Sequence, residues 1–482
     1  MENTKQPFQI IKPNSFVVEE HWYPKALNAT IHPMVNFFMN LSSERIIARY
    51  CHLHPTLNKE KLREILAYQC QYFHWSGADL INATTAEGDK KMLIIENNSC
   101  PSGQKSMPLL DDNKEAGTYR VMIERTCKPL IDKHRKKQKT EGALAVFYDK
   151  NYMEASGYAA VLADVFAEPV YLVEFYDRPN EHLELIDELF YLNTGNGQIP
   201  ITAAFRYVTQ KPWNRIPVNC KTLLLNPMIV CLAGGRNKML AAEAYNRYNE
   251  EIKSYGLAIH TPDTIQDVKK EDIPKYVTQF GGQAVIKIPY SNAGQGVFTI
   301  VNEEELNAFM QLDMTYDKFI VQSLIGNYTW SSETQKGRFY HVGTIPNAKG
   351  ETFVADIRLM VSSTENGIKP LCMYSRKALK PLPDNLEGSQ SSWEILGTNL
   401  SIKKGENIWD SDTNRLMIMD RRDYNKLGLG LDDLIETYIQ TVLSTIAIDK
   451  MCIELMNSKG KFSLKKFRQI NNDEALISEI LI

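Results

Sequence analysis

At 482 residues, 43% apolar and 23% charged, the chain has room for two or three globular domains and too much core-forming composition for a disordered one. Its 55 basic and 58 acidic residues leave a net charge of −3 with the signs interspersed, which argues against a nucleic-acid platform. The eight cysteines form no C-x-x-C pair and no finger spacing, so they read as reduced, buried thiols and not as a zinc site or a disulfide framework. The first residues, M-E-N-T-K-Q-P-F-Q, contain no apolar signal core, and the longest apolar stretch, Thr222 to Leu232, is too short for a bilayer and is broken by Asn226-Pro227. A cytoplasmic protein without membrane or nucleic-acid partners is the expectation.

After an extended start, residues 42–49 and 58–73 have helical spacing, the latter through Leu62, Ile65, Leu66 and Tyr68. Asp79 to Asn82 reads as a strand, Thr84 to Lys90 as a polar turn, and Met92 to Ile95 as a strand running into E-N-N-S-C-P-S-G-Q-K-S-M-P, residues 96–108. That segment is either an ordinary Pro/Gly/Ser connection or a substrate loop. In the second case Gly103, Gln104, Lys105 and Ser106 offer donors to a carboxylate or phosphate, beside Glu96 and Asn98. Leu144 to Tyr148, Glu154 to Phe166 and Val170 to Phe175 alternate as strand, helix and strand, which predicts a Rossmann-like parallel unit. Its turn, Asn151 to Gly157, lies where such sheets take ligands; the plain alternative is helix capping. Residues 204–217 carry Arg206 and Arg215 among aromatics: a carboxylate clamp, or an arm packed on Trp213.

Gly234-Gly235 precedes Lys238 and a predicted helix from Met239 to Tyr255; without a third glycine and a downstream acid it is no dinucleotide fingerprint. The stretch Q-A-V-I-K-I-P-Y-S-N-A-G-Q-G-V-F-T-I-V, residues 283–301, reads as strand, small-residue loop and strand, with Lys287 at the first strand's end. A Walker loop runs into a helix; a glycine flap between strands can still lay backbone N–H groups over phosphates. Downstream come the short strand of residues 319–326, the strand A-D-I-R-L-M-V with Asp356 and Arg358 on one face, and M-Y-S-R-K-A with Arg376. Then follow a loop at 383–392 suited to a lid, Asn399, a helix from Leu431 to Ile446, a strand from Met451 to Leu455, and a last strand ending in R-Q-I-N-N at 468–472.

This order of lysine, glycine loop, hinge strand, D-I-R strand, second arginine, asparagine and closing acidic segment resembles the ATP-grasp superfamily from about Asn226 to Ile482. The resemblance implies an α/β (α+β) chain: an N-terminal Rossmann-like pre-ATP-grasp domain over 1–220, then an ATP-grasp fold of two α+β subdomains over 221–325 and 326–482. It implies ATP and Mg²⁺, and activation of a carboxylate as an acyl phosphate that an amine or a carrier-protein thiol attacks. By position, Lys238, Lys287 and the flap Ser291, Asn292, Ala293, Gly294, Gln295 and Gly296 would hold the phosphates, and Gln322, Ser323, Leu324 and Ile325 would read adenine through the backbone. Arg358, Arg376 and Asn399 would act at the γ-phosphate, and Glu454, Gln469 and Asn471 would hold the metal, Gln469 standing where most members have Glu. The substrate would meet Glu96, Asn98, Gly103, Gln104, Lys105, Ser106 and Arg206. A rival metal set, Asp79, Glu96 and Asn98, resembles the E-x-N segment of circularly permuted glutathione synthetases; chain order favours the first set and ligand charge the second. The expected function is amide-forming ligation of an amino acid or peptide, in natural-product biosynthesis or on a carrier protein, with a homodimer allowed. The alternatives are a kinase-like phosphotransferase and an ATP-binding regulatory protein with a weakened metal site.

Overall fold

The computed structural model describes residues 8–110, 116–138, 142–176, 182–208, 213–291, 294–335, 337–386, 391–405 and 408–481. Asn292 and Ala293 of the flap, residues 387–390 of the expected lid and residues 209–212 of the Arg-rich segment lie outside that set. The fold is α+β, built on three main sheets. Among the described residues no helix is long and apolar enough to cross a membrane.

The first sheet is the Rossmann-like unit. Ala143–Tyr148 pairs in parallel with Val170–Glu174 on one side and with Gln198–Tyr207 on the other. Their apolar runs are buried on both faces, as parallel strands require. The helix Tyr152–Phe166 is the crossover; residues 154–163 are buried all round, so it is enclosed and not a surface helix. The second sheet is antiparallel, ordered Thr264–Lys269, Lys318–Ser323, Ala284–Lys287, Val297–Ile300. It has its own core, including Ile286, Phe280, Phe309, Phe319 and Val321.

The third sheet departs from the expected partition at 220 and 326. Trp75–Thr84 pairs with Lys90–Asn98 on one side and with Ala355–Thr364 on the other, and Ala355–Thr364 continues to Gly367–Lys377. The N-terminal hairpin is thus part of the sheet that carries the D-I-R strand. Asp449 helps fix it there: its carboxylate accepts from the backbone N–H of Gln71, Tyr72 and Phe73 at 3.0, 2.7 and 2.8 Å, and from the Tyr68 hydroxyl at 2.7 Å.

Asp449 sits on the helix Leu431–Leu455, which packs on this sheet. That helix runs through the expected strand at 451–455, because Met451, Cys452 and Leu455 continue the buried helical spacing of Val442, Leu443, Ile446 and Ile448. The last expected strand is also a helix, Leu464–Ile470, whose N-terminus is capped by the Ser463 side chain.

Candidate active site

Antiparallel register assembles the centre of the site. Glu96 lies opposite Asp79, Asp79 opposite Arg358, and Arg358 opposite Tyr374, one row across four neighbouring strands. Opposed residues share a face, so the row presents its side chains together. Two residues along, Asp356 faces Arg376. On the outer strand the ladder passes from Glu96 directly to Ile94, leaving Ile95 as a one-residue bulge; such bulges re-aim neighbouring side chains.

The row is closely bonded. Arg358 donates to both Asp79 oxygens at 2.5 and 2.7 Å, and Arg376 reaches the same carboxylate at 2.9 Å. Arg376 also pairs with Asp356, whose carboxylate accepts from the Thr398 hydroxyl at 2.9 Å. Burial alone would raise the Asp79 pKa, but the two guanidiniums overcome it and hold the group down at about 2. Asp79 is therefore an ionised strut between two arginines.

Lys287 and Lys238 approach from the second sheet and from the helix Lys238–Ile252. Both are buried; Lys287 Nζ lies 3.4 Å from the carbonyl of the bulged Ile95, and Lys238 Nζ donates to the Ser291 carbonyl at 2.6 Å. Burial, with the like charge of Lys238, brings the Lys287 pKa down to about 8 against the pull of Glu96 and Asp79. Burial likewise lowers Lys238. Two desolvated ammoniums side by side are costly unless a polyanion joins them.

These groups line a cavity of about 340 Å³ that contains Asp79, Glu96, Lys287, Arg358, Arg376 and Asn399. A second cavity, of about 760 Å³, includes Lys238, Tyr245 and Phe280 and shares Ile95, Glu96, Pro262, Lys287 and Gln322 with the first. The flap lies over the first. Gly294 and Gly296 have φ of +75° and +78°, and a Cβ on Gly294 would come within 2.8 Å of the Asn399 amide and 3.1 Å of the Trp393 ring, so glycine is required there.

Of the sequence-derived set, the structure thus brings Lys238, Lys287, Gly294, Arg358, Arg376, Asn399, Glu96 and Asn98 to the two joined cavities. Ser291 and Gly296 bond within the flap turn, through Ile288; Gln295 lies between the two flap glycines in sequence. Gln322, Ser323, Leu324 and Ile325 line the first cavity, yet the N–H and C=O of Leu324 are both bonded to Ser332 and the Ser323 N–H to the Asp263 carbonyl. Those backbone groups are already engaged within the protein.

The expected metal trio does not assemble. Glu454 is on the surface, paired with Arg247 at 2.5 Å; Gln469 is exposed; Asn471 is buried but bonded to the Tyr290 hydroxyl. None lines either cavity. The cause is the helical course of 451–455 and 464–470, which puts Glu454 and Gln469 on solvent faces. Arg206 is also removed from the substrate set: it is fully buried and its guanidinium is used on the carbonyls of Asn226, Val208 and Ser99. Gln104 accepts from Thr118 and Gly103 packs on Met360 and Tyr374, whereas Lys105 and Ser106 do line the cavity.

Sequence reasoning missed Arg236, Lys150 and Glu154. Arg236 donates to the Asn98 side-chain oxygen at 2.8 Å. Glu154, wholly buried, accepts from the Gly103 N–H at 2.7 Å and the Ser102 hydroxyl at 2.5 Å, so it shapes the 99–107 loop. The only sequence signals were the G-G-R-N-K context of Arg236 and the strand-to-helix turn holding Lys150 and Glu154.

Among the described residues no three His, Cys, Asp or Glu side chains gather as a metal centre. Mg²⁺ does not need one, since it is commonly carried on phosphates and takes one or two carboxylates. Glu96 fits that part: among the described residues its carboxylate makes no hydrogen bond or ion pair, and Asn98 is two residues away on the same strand.

No protein-family model and no curated protein matches the chain. Solved structures do resemble it. They include a RimK-domain ATP-grasp protein from Sphaerobacter thermophilus (15% identity over 48% of this chain and 90% of that one, TM-score 0.29). A glutathione synthetase-like effector from Globodera pallida gives 10% identity over 72% and 86%, with a TM-score of 0.37. A D-alanine–D-alanine ligase from Coxiella burnetii gives 9% identity over 64% and 95%, with a TM-score of 0.21.

Proposed function

We propose that the chain is an ATP-dependent carboxylate–amine ligase of the ATP-grasp kind, working through an acyl phosphate on an amino acid or short peptide. The observation that carries this is the meeting, in one cleft, of two buried lysines from one side with the Glu96–Asp79–Arg358–Tyr374 row and Arg376 from the other. Such a cleft suits a reaction in which negative charge is first bound and then redistributed.

In this reading Lys238 and Lys287 neutralise the triphosphate as point charges, and the flap around Gly294 and Gly296 covers it. Glu96, with Asn98 beside it, would hold Mg²⁺, which supplies further charge neutralisation between the phosphates when bound. Arg358 and Arg376, on the opposite wall from the lysines, would act where the γ-phosphate meets a carboxylate. Asp79 and Asp356 hold both guanidiniums in fixed orientation, so stabilising the developing charge needs no reorganisation. Trp393, Thr398 and Asn399 close the cleft beside the flap and keep water from the acyl phosphate.

The test is product analysis of the purified chain with ATP, Mg²⁺ and an amino-acid and dipeptide panel. Equal ADP and phosphate with a new amide, and a hydroxamate when hydroxylamine replaces the amine, is the expected result. AMP and pyrophosphate would overturn the mechanism, and a stable phosphorylated product would favour a phosphotransferase.

A further inference from the structure

One end of the first cavity is not accounted for by the nucleotide. It is formed by Lys150, just past the end of the strand Ala143–Tyr148, and by Lys105 and Ser102 of the 99–107 loop, with Arg236 and Arg358 adjoining. The neighbours of that strand lie on opposite sides, Val170–Glu174 on one and Gln198–Tyr207 on the other. Its carboxyl end is therefore the place where a parallel sheet opens a crevice for ligands.

Among the described residues Lys150 makes no ion pair: its ammonium lies 3.4 Å from the Cys100 carbonyl and over the Tyr207 ring at 5.5 Å. Lys105, buried, donates to the Asn151 side chain at 3.2 Å and sits over the Tyr23 ring at 4.9 Å, again without an ion pair. The nearby carboxylates make their hydrogen bonds and ion pairs with other groups: Asp79 lies between two arginines, Asp149 bonds Arg215 at 2.8 Å, and Glu154, although the charge of Lys105 acts on it, accepts from the Gly103 N–H and the Ser102 hydroxyl. Burial lowers the Lys150 pKa, and the like charges of Arg236 and Arg358 lower it further against the pull of Cys100 and Asp149. Cations gathered at a concave, partly desolvated surface form a site that awaits an anion.

We propose that this end of the cleft is an anchoring subsite, in which Lys150 and Lys105 bind a second anionic group of the acyl substrate, distinct from the carboxylate that is activated at Arg358 and Arg376. The substrate class is then a diacid, such as an acidic amino acid, an acidic dipeptide or a phosphorylated amino acid, and not a simple monocarboxylate. The inference rests on the ligase reading for the location of the reacting carboxylate. Binding energy from the anchor would be spent on alignment at the reacting end, so a monoacid would lose turnover as well as affinity.

The test separates this inference from that reading. The full-length chain is saturated with a non-hydrolysable ATP analogue and Mg²⁺, then titrated calorimetrically with paired probes: glutarate against its monoamide, succinate against its monoamide, and phosphoserine against serine. The expected result is that at least one dianion binds about tenfold or more tightly than its partner, the gain of one charge-assisted hydrogen bond. Lys150→Gln should abolish that preference and Lys150→Arg retain it, with the ATP-analogue affinity of both variants at the wild-type value. No preference in any pair would overturn the proposal. So would loss of ATP-analogue affinity in Lys150→Gln, which would give Lys150 to the nucleotide. Failure of the wild type to bind the analogue would instead refute the ligase reading. Lys105→Gln, on a different segment, serves as the second variant should Lys150→Gln fold poorly.

Discussion

If Lys287 binds phosphate as proposed, it does so at the expense of stability, and replacing it should separate the two. Its ammonium is buried beside Lys238, and its pKa falls from 10.5 to about 8, with burial the larger cause. A drop of that size corresponds to about 3 kcal/mol by which the charged form is disfavoured in the folded protein. The unfolded chain binds the proton more tightly, so the penalty is fully present below pH 8. It lessens as pH rises from 8 towards 10.5, where the folded protein can release the proton. Lys287→Met keeps the side-chain length and removes the charge. Without nucleotide at pH 7 it should melt several degrees above wild type, and this advantage should shrink at pH 9.5.

Adding ATP and Mg²⁺ should reverse the order: wild type gains melting temperature by ligand linkage and Lys287→Met does not. Wild-type nucleotide affinity should also weaken by about tenfold per pH unit above 8, as the ammonium is lost. Scanning fluorimetry at both pH values, with and without nucleotide, reads all of this. If Lys287→Met melts below wild type at pH 7, or its advantage is independent of pH, the buried-ammonium reasoning is wrong.

Glu96→Ala should raise the Mg²⁺ concentration for half-maximal turnover by about tenfold or more, whereas Glu454→Ala, which breaks only a surface pair with Arg247, should leave Mg²⁺ dependence and melting temperature unchanged. Asp79→Asn leaves Arg358 without its carboxylate, and Arg376 with Asp356 alone, and should destabilise by about 3–5 kcal/mol, read by denaturant unfolding. Because the folded Asp79 pKa is depressed to about 2, its contribution in wild type should be present above pH 4 and lost as pH falls towards 2. Asp449→Ala orphans the N–H groups of Gln71, Tyr72 and Phe73 and should cost about 3 kcal/mol or more, with protease sensitivity appearing first near residue 70. Gly294→Ala should raise the KM for ATP, since the strain at its positive φ and the contacts with Asn399 and Trp393 fall on the flap.

Local patterns in the sequence reported local structure well. The β-α-β unit at 143–174, the two strands around the flap and the alternation that pairs Asp356 with Arg358 on one face were all legible, because each depends on periodicity within one segment. The end of the helix 431–455 is not legible because its middle mixes apolar residues with Thr, Ser and Gln and is buried on all sides, so no amphipathic period marks where it stops, and Met451 to Leu455 alone fits a short strand. Glu154 and Lys150 escaped notice for a different reason. A charge buried next to the end of a parallel strand has no signature in the chain; its meaning lies in the 99–107 loop that meets it.

The choice between the two metal sets shows the same limit more sharply. Chain order placed the acidic ligands after the D-I-R strand, because sequence lists neighbours along the chain. Antiparallel pairing chooses neighbours across it: Asp79, 279 residues before Arg358, is its direct cross-strand partner. Once Trp75–Thr84 takes that position, the hairpin brings Glu96 into the same row, and the bulge at Ile95 lets both Glu96 and the Ile95 carbonyl face Lys287. The position next to the D-I-R strand is then filled, and the chain's last segments fold as helices with Glu454 and Gln469 in solvent. Of the two sets, Asp79, Glu96 and Asn98 line the cleft, whereas Glu454, Gln469 and Asn471 do not. A carboxylate two residues from an asparagine is costly to bury without a cation, and the structure buries Asn98 and half-buries Glu96 in the cleft where phosphates would bring one.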